Sequence, residues 1–267
     1  MKEMQWGFIG CGNMAKAMIR GMVEHHAVEA AQVMASDALA AAMEPVQALG
    51  VQTTGDNKEV AAKSRYLVLA VKPMFYPAVI AQIAPVIDQD TVVVTIAAGQ
   101  EIAAMEQQFG KPVKLIRTMP NTPAMVGEGM TAICPNGNVT EEELEEMKQA
   151  FSAFCLVEQV PERLMDAVTA VSGSSPAYVF LFIEAMADAA VQQGMPRAQA
   201  YRFAAQAVLG SAKMVLETGK HPGELKDMVC SPAGTTIAAV KVLEEKGFRG
   251  AVMDAMEACA DVSKGMK

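Results

Sequence analysis

Gln5-Trp6-Gly7-Phe8-Ile9-Gly10-Cys11-Gly12-Asn13-Met14-Ala15 is the stretch that decides the fold. Its first five residues read as a short buried strand, and the chain beyond Gly12 reads as a helix to about His25. Between them lies the pattern G-x-G-x-x-A. Gly10 permits a tight turn, Gly12 lets a diphosphate approach the backbone, and Ala15 lets helix and strand pack closely. The first N–H groups of such a helix lack intrahelical partners and carry the positive end of its dipole, which suits phosphate. The spacing predicts a dinucleotide site built on Ile9, Gly10, Gly12, Asn13 and Met14. A strand–helix turn without a ligand is the competing reading.

Outward from this stretch, strands are expected at Gln32–Ser36, Tyr66–Ala70, Thr91–Ile96 and Val113–Thr118, with helices such as Ala38–Leu49 and Ile102–Phe109 between them. This alternation predicts an α/β fold with a doubly wound, Rossmann-type parallel sheet. Ligands of such sheets gather at the carboxyl ends of the strands. The unusual residues fall there: Ala70-Val71-Lys72-Pro73, Ala97-Ala98-Gly99, and Asn121-Thr122 between Pro120 and Pro123. Each segment could simply end a strand; three on one rim point to a bound cofactor. Asp37 stands at the end of the second strand, where a carboxylate binds a ribose 2′-OH and repels a 2′-phosphate, favouring NADH. Ser36 and Asn57 could instead hydrogen-bond a phosphate, so the choice between NADPH and NADH stays open.

Thr140-Glu141-Glu142-Glu143 forms a capping box for a helix to about Ala153. A last strand, Leu156–Val160, closes the first domain, expected at 1–161. The remainder, 162–267, reads as helix almost throughout: 162–172, 176–193, 197–217, 222–229, 235–246 and a final helix from about Arg249. The helix of 176–193 is apolar on nearly every side, so it belongs in a core or between subunits. His221-Pro222 reads as a helix start. Leu225 to Cys230 reads as a helix end that Pro232 enforces, and Thr235 or Thr236 sits where the next helix would be capped. The segment Ser231 to Thr236 therefore looks like an anion site.

Composition narrows the field. Among 267 residues 52% are apolar and the net charge is −8, which argues against a nucleic-acid backbone as partner. Five scattered cysteines without CxxC spacing suit a reducing compartment, and the start shows no secretory signal. The run Ala177–Ile183, interrupted by Glu184 and Asp188, is read as too short to span a bilayer. A cytoplasmic location is expected. Three histidines, two of them adjacent, give no metal-binding spacing, and no metal is expected.

The motifs together resemble those of the Δ1-pyrroline-5-carboxylate reductases over nearly the whole chain. The resemblance rests on the glycine turn, on Ala70-Val71-Lys72-Pro73, on Ala97-Ala98-Gly99, on Met119-Pro120-Asn121-Thr122-Pro123, on Ser172-Gly173-Ser174-Ser175-Pro176-Ala177-Tyr178, and on Leu225 to Thr236. Ser175 and Ala233 replace glycines common in the family; Ala233 matters only if its backbone needs positive φ. The resemblance implies reduction of (S)-1-pyrroline-5-carboxylate to L-proline by NAD(P)H, the last step of proline biosynthesis. It further implies Lys72 as a cofactor contact and Ser231, Gly234, Thr235 and Thr236 as substrate ligands. Thr236 is the catalytic candidate, hydrogen-bonded to the ring nitrogen. A homodimer, or a larger assembly built on dimers, is implied as well. The rival readings are another Rossmann imine or β-hydroxyacid dehydrogenase, or a non-catalytic nucleotide-binding redox sensor.

Overall fold

The computed structural model describes residues 2–265. It opens with β1 (Met4–Ile9), α1 (Asn13–Glu24), β2 (Val33–Ser36), α2 (Ala40–Gln47), β3 (Gln52–Thr54) and α3 (Asn57–Lys63). Next come β4 (Ser64–Leu69), α4 (Tyr76–Ile83), β5 (Val92–Thr95), α5 (Ile102–Phe109) and β6 (Lys114–Met119). β7 (Gly129–Pro135), α6 (Glu141–Ser152) and β8 (Cys155–Gln159) complete an eight-stranded sheet of order β3-β2-β1-β4-β5-β6-β7-β8.

Alternate residues of the central strands feed two cores. Trp6, Phe8, Tyr66, Val68 and Val94 face α1 and α6, where Met18, Met22, Met147 and Phe151 cover them. Ile9, Leu67, Leu69, Val93 and Leu115 face α3, α4 and α5, against Val60, Ile80 and Met105. Burial on both faces explains why these strands are continuous apolar runs rather than alternating ones.

The sheet departs from the expected all-parallel pattern at one pair. β7 runs antiparallel to β6, with Thr118 opposite Ile133. Only a 3₁₀ turn, Thr122–Val126, joins them, and a crossover to a parallel neighbour needs a dozen residues or more. α6 supplies such a crossover, so β8 is parallel to β7 again. β3 and β7 were not among the expected strands.

The chain forms two compact units: Met1–Ser174 with Cys259–Lys267, and Ser175–Ala258. The sheet unit thus continues past 161. Its extra turns are α7 (Met165–Val168) and a π-helical turn, Thr169–Gly173. Met165 is buried against Ala132 and Cys134, and Asp166 accepts a 2.8 Å hydrogen bond from the hydroxyl of Ser263.

The second unit contains α8 (Ser175–Gln192), α9 (Arg197–Thr218), α10 (Pro222–Val229) and α11 (Thr235–Glu245), and α12 (Phe248–Gly265) runs from it back into the first. Within Ser175–Ala258 only Ala187, Ala200 and Ala204 are buried, while Phe180, Leu181, Phe203 and Leu216 are more than half exposed. The helical run Glu162–Gln192 is continuous, because the π turn absorbs Gly173 instead of breaking there. An 18-residue window within it has a mean hydropathy of 1.2, which makes the helix, by length and composition alone, long and apolar enough to cross a membrane. The short apolar run Ala177–Ile183 is thus part of a longer helix.

Candidate active site

The carboxyl ends of β1, β2, β4, β5 and β6 share one rim, because these strands are mutually parallel. The strand order reverses between β1 and β4, which makes this the topological switch point. Gly10 lies there with φ +101°, and its amide donates to the Ser36 carbonyl at 2.7 Å. A Cβ on Gly10 would stand 2.8 Å from the Ala70 carbonyl oxygen, so the turn can close only with glycine. Gly12 is the N-cap of α1 with no side-chain cap, and a Cβ added there would meet no protein atom within 4 Å. The helix N-terminus is thus left open toward solvent, with Gly12 and Asn13 exposed and Met14 partly so. An anionic diphosphate fits this turn on both counts, space and uncapped N–H groups.

At the end of β2 both oxygens of Asp37 are engaged. One accepts from the Cys11 amide at 2.8 Å and the other from the Leu39 amide at 2.9 Å. The carboxylate is therefore tied into the glycine turn itself. Burial first, and then the Asp37 charge, push the Cys11 thiol up to about 11. Ser36 and Asn57, considered as phosphate ligands, are engaged with each other instead. The buried Ser36 hydroxyl donates to Asn57 Oδ1 at 2.8 Å, and Asn57 Nδ2 donates to Gln82 at 2.9 Å.

Along the rest of the rim, Ala70 and Val71 are half-buried beside Gly10, and Lys72 and Pro73 are exposed. Lys72 caps the 3₁₀ turn Pro73–Phe75 through its backbone, leaving its ammonium at the surface. Ala97 and Gly99 are buried and Ala98 half-buried, with Gly99 at φ +72°. Thr122 is exposed at the start of its 3₁₀ turn. Asn121 is different. Its Oδ1 accepts from the Met130 amide at 2.8 Å and its Nδ2 donates to the Ser172 carbonyl at 3.1 Å. The side chain ties the rim to β7 and to the π turn.

One contributor carried no motif. Arg117 on β6 is buried and pairs with Glu162 at 2.8 Å; the same carboxylate oxygen accepts the Ile102 amide at the start of α5. This clasp fixes the helix that follows Ala97–Gly99. A charged residue inside the run Lys114–Met119 was the available signal.

The second candidate site is the turn from α10 to α11. His221 caps α10 by accepting the Gly223 amide at 3.0 Å. The N-cap of α11 is Gly234, not a threonine: its extended ψ of 170° places Thr235 and Thr236 inside the first helical turn. No side chain caps this end. A Cβ on Gly234 would collide with the Ser231 hydroxyl, so glycine is what lets Ser231 stand beside the uncapped amides. Ala233 has φ +56°, so the position that carries glycine in many resembling chains does need positive φ. The condition under which alanine matters at this position is therefore met. Ser231, Gly234, Thr235 and Thr236 thus assemble three hydroxyls and a helix N-terminus within one turn.

Comparison with known proteins gives these sites a family. The chain is 50% identical to a pyrroline-5-carboxylate reductase of Escherichia coli (strain K12) over 266 residues, 98% of each chain. The chain belongs to the pyrroline-5-carboxylate reductases. It is also 44% identical to the Methanosarcina acetivorans reductase, over 99% of this chain and 98% of that one. Residues 162–266 match the pyrroline-5-carboxylate reductase dimerisation family, and 5–99 match the coenzyme F420-dependent NADP oxidoreductase family. A Plasmodium falciparum pyrroline carboxylate reductase, solved with NADP bound, superposes with a TM-score of 0.90 at 30% identity, covering 100% and 99% of the two chains. The Coxiella burnetii reductase superposes at 0.91 and 32%, covering 99% of each.

Proposed function

We propose that this reductase converts (S)-1-pyrroline-5-carboxylate to L-proline with NAD(P)H, the closing step of proline biosynthesis. The observation that carries this is the Ser231–Thr236 turn, a helix start that no side chain caps, with the hydroxyls of Ser231, Thr235 and Thr236 beside it. That arrangement suits a small carboxylate joined to a ring nitrogen. The amides of Thr235 and Thr236, with the Ser231 hydroxyl, hold the carboxylate, aided by the helix dipole. The Thr236 hydroxyl hydrogen-bonds the ring nitrogen and passes it a proton from water.

The glycine turn and the rim residues Ile9, Asn13, Met14, Ala70–Pro73, Ala97–Gly99 and Thr122 hold the nucleotide, with Asn121 positioning the last of these. NAD(P)H, when bound, supplies a hydride. The imine carbon accepts it, the C=N π pair moves to nitrogen, and nitrogen ends as the protonated secondary amine of proline. A protonated imine is already electrophilic, so orientation contributes more than acid–base strength, and no histidine or metal is required. The functional division follows 1–161 for the cofactor and 162–267 for substrate and dimerisation. We place the protein in the cytoplasm as a homodimer or an assembly of dimers; the exposed apolar helices of 175–258 support self-association.

The test is the loss of absorbance of NADH or NADPH with and without pyrroline-5-carboxylate, with proline quantified as product. Cofactor binding without substrate-dependent turnover would sink the proposal.

A further inference from the structure

We propose that Asp37 makes this chain prefer NADH to NADPH, by fixing a carboxylate where a 2′-phosphate would have to lie. The inference deepens the reductase reading and rests on its nucleotide assignment. In a Rossmann-type sheet the adenosine ribose of a dinucleotide held on the β1–α1 turn lies at the end of β2. Asp37 occupies that end here, partly exposed.

Three observations turn its position into selectivity. First, the carboxylate cannot swing away. Its two oxygens are held by the amides of Cys11 and Leu39, from the glycine turn and from its own strand end. A carboxylate has about four acceptor positions, and two remain for the 2′- and 3′-hydroxyls of a ribose. Second, the chain segment that carries Asp37 brings no cation with it. Between Arg20 and Lys58 the sequence has no lysine or arginine. Burial raises the Cys11 thiol first and the Asp37 charge adds to it, while the Lys16 ammonium offsets a part. Third, the neutral donors that might rescue a phosphate are committed: the Ser36 hydroxyl is buried on Asn57, and the Asn57 amide is on Gln82. A 2′-phosphate would therefore meet a fixed like charge, with Ser36 and Asn57 already engaged elsewhere. A 2′-hydroxyl meets an acceptor.

The test is a titration of the whole protein with NADH and with NADPH, following nicotinamide fluorescence without substrate, and then kcat/KM for each with pyrroline-5-carboxylate. We expect NADH to bind at least about tenfold tighter, equivalent to about 1.4 kcal/mol. Asp37→Ser should erase the difference. Because that change also releases the turn, Ala38→Arg is the cleaner variant: Ala38 is exposed and holds nothing. It should tighten NADPH about tenfold or more and leave NADH unchanged. Equal or tighter binding of NADPH by the wild type would overturn the inference, as would a ratio that neither variant moves. Failure to bind either nucleotide would overturn it together with the nucleotide site. NADH-selective binding without turnover would uphold the selectivity and remove only the assigned reaction.

Discussion

At Ala233 a side chain sits on a backbone with φ +56°, a conformation that costs an L-residue about 1–2 kcal/mol relative to glycine. Ala233→Gly should therefore raise the free energy of unfolding in urea by about 1 kcal/mol, after some loss to the freer unfolded chain. A destabilised variant would show that the turn does not need this geometry. Gly12 presents the opposite case. Its missing side chain points into open space, so Gly12→Val should fold normally and lose cofactor binding. Thermal denaturation and nucleotide titration separate those effects, and a valine variant that still binds would remove the diphosphate from this turn. Thr236→Ala should lower kcat about tenfold or more, near 1.4 kcal/mol, and leave the nucleotide Kd alone. An unchanged kcat would exclude the hydroxyl from the chemistry.

Among the elements, α6 carries its own start signal. Thr140 accepts the Glu143 amide at 3.2 Å and Glu143 returns to the Thr140 amide at 3.0 Å, the capping box that the sequence spells out. Glu143 also pairs with Lys114 of β6 at 2.6 Å. Burial pushes its carboxyl up, but the Lys114 ammonium and the donors of Thr140 more than offset this, leaving it below the ordinary glutamate value. With the folded value depressed, the stabilisation is complete above the ordinary value and fades as pH falls through the folded one. Urea midpoints should fall below about pH 4, and Glu143→Gln should start lower and flatten that fall. An acid slope unchanged by the substitution would place the sensitivity elsewhere. Strands buried on both faces were equally legible, since their apolar runs are bounded by turns. β3 was not, because Gln52–Thr54 is a three-residue polar edge strand. β7 was hidden because it follows a proline-rich turn and pairs antiparallel, against the rhythm of the rest. The candidate ligands were legible as residue types at strand ends and helix starts. What Asp37, Ser36, Asn57 and Asn121 bind was not, because Cys11, Asn57, Gln82 and Ser172 reach them from distant parts of the chain.

For the whole molecule the decisive imbalance is between its two units. The sheet unit buries two cores, whereas Ser175–Ala258 buries three alanines and leaves phenylalanines, leucines and methionines in water. An apolar surface of that extent needs a cover, and the dimerisation-family match over 162–266 makes a second copy the cover we expect. The continuous helix Glu162–Gln192, with its apolar window, allows a competing cover, a bilayer. The sequence within it argues for protein, since Glu184 and Asp188 fall in its helix and Asp188 pairs with Arg197 of α9. A charge at the centre of a bilayer is costly. Leu181→Glu separates the two. Leu181 is 68% exposed in the single chain, so the substitution should leave its fold intact. If a second copy covers it, wild type should sediment as a dimer or larger, with a melting temperature that rises with protein concentration. The variant should shift toward monomer and lose that dependence. If wild type instead sediments as a monomer without detergent, or floats with lipid vesicles, the dimer is wrong, and the apolar face of α8 has another use.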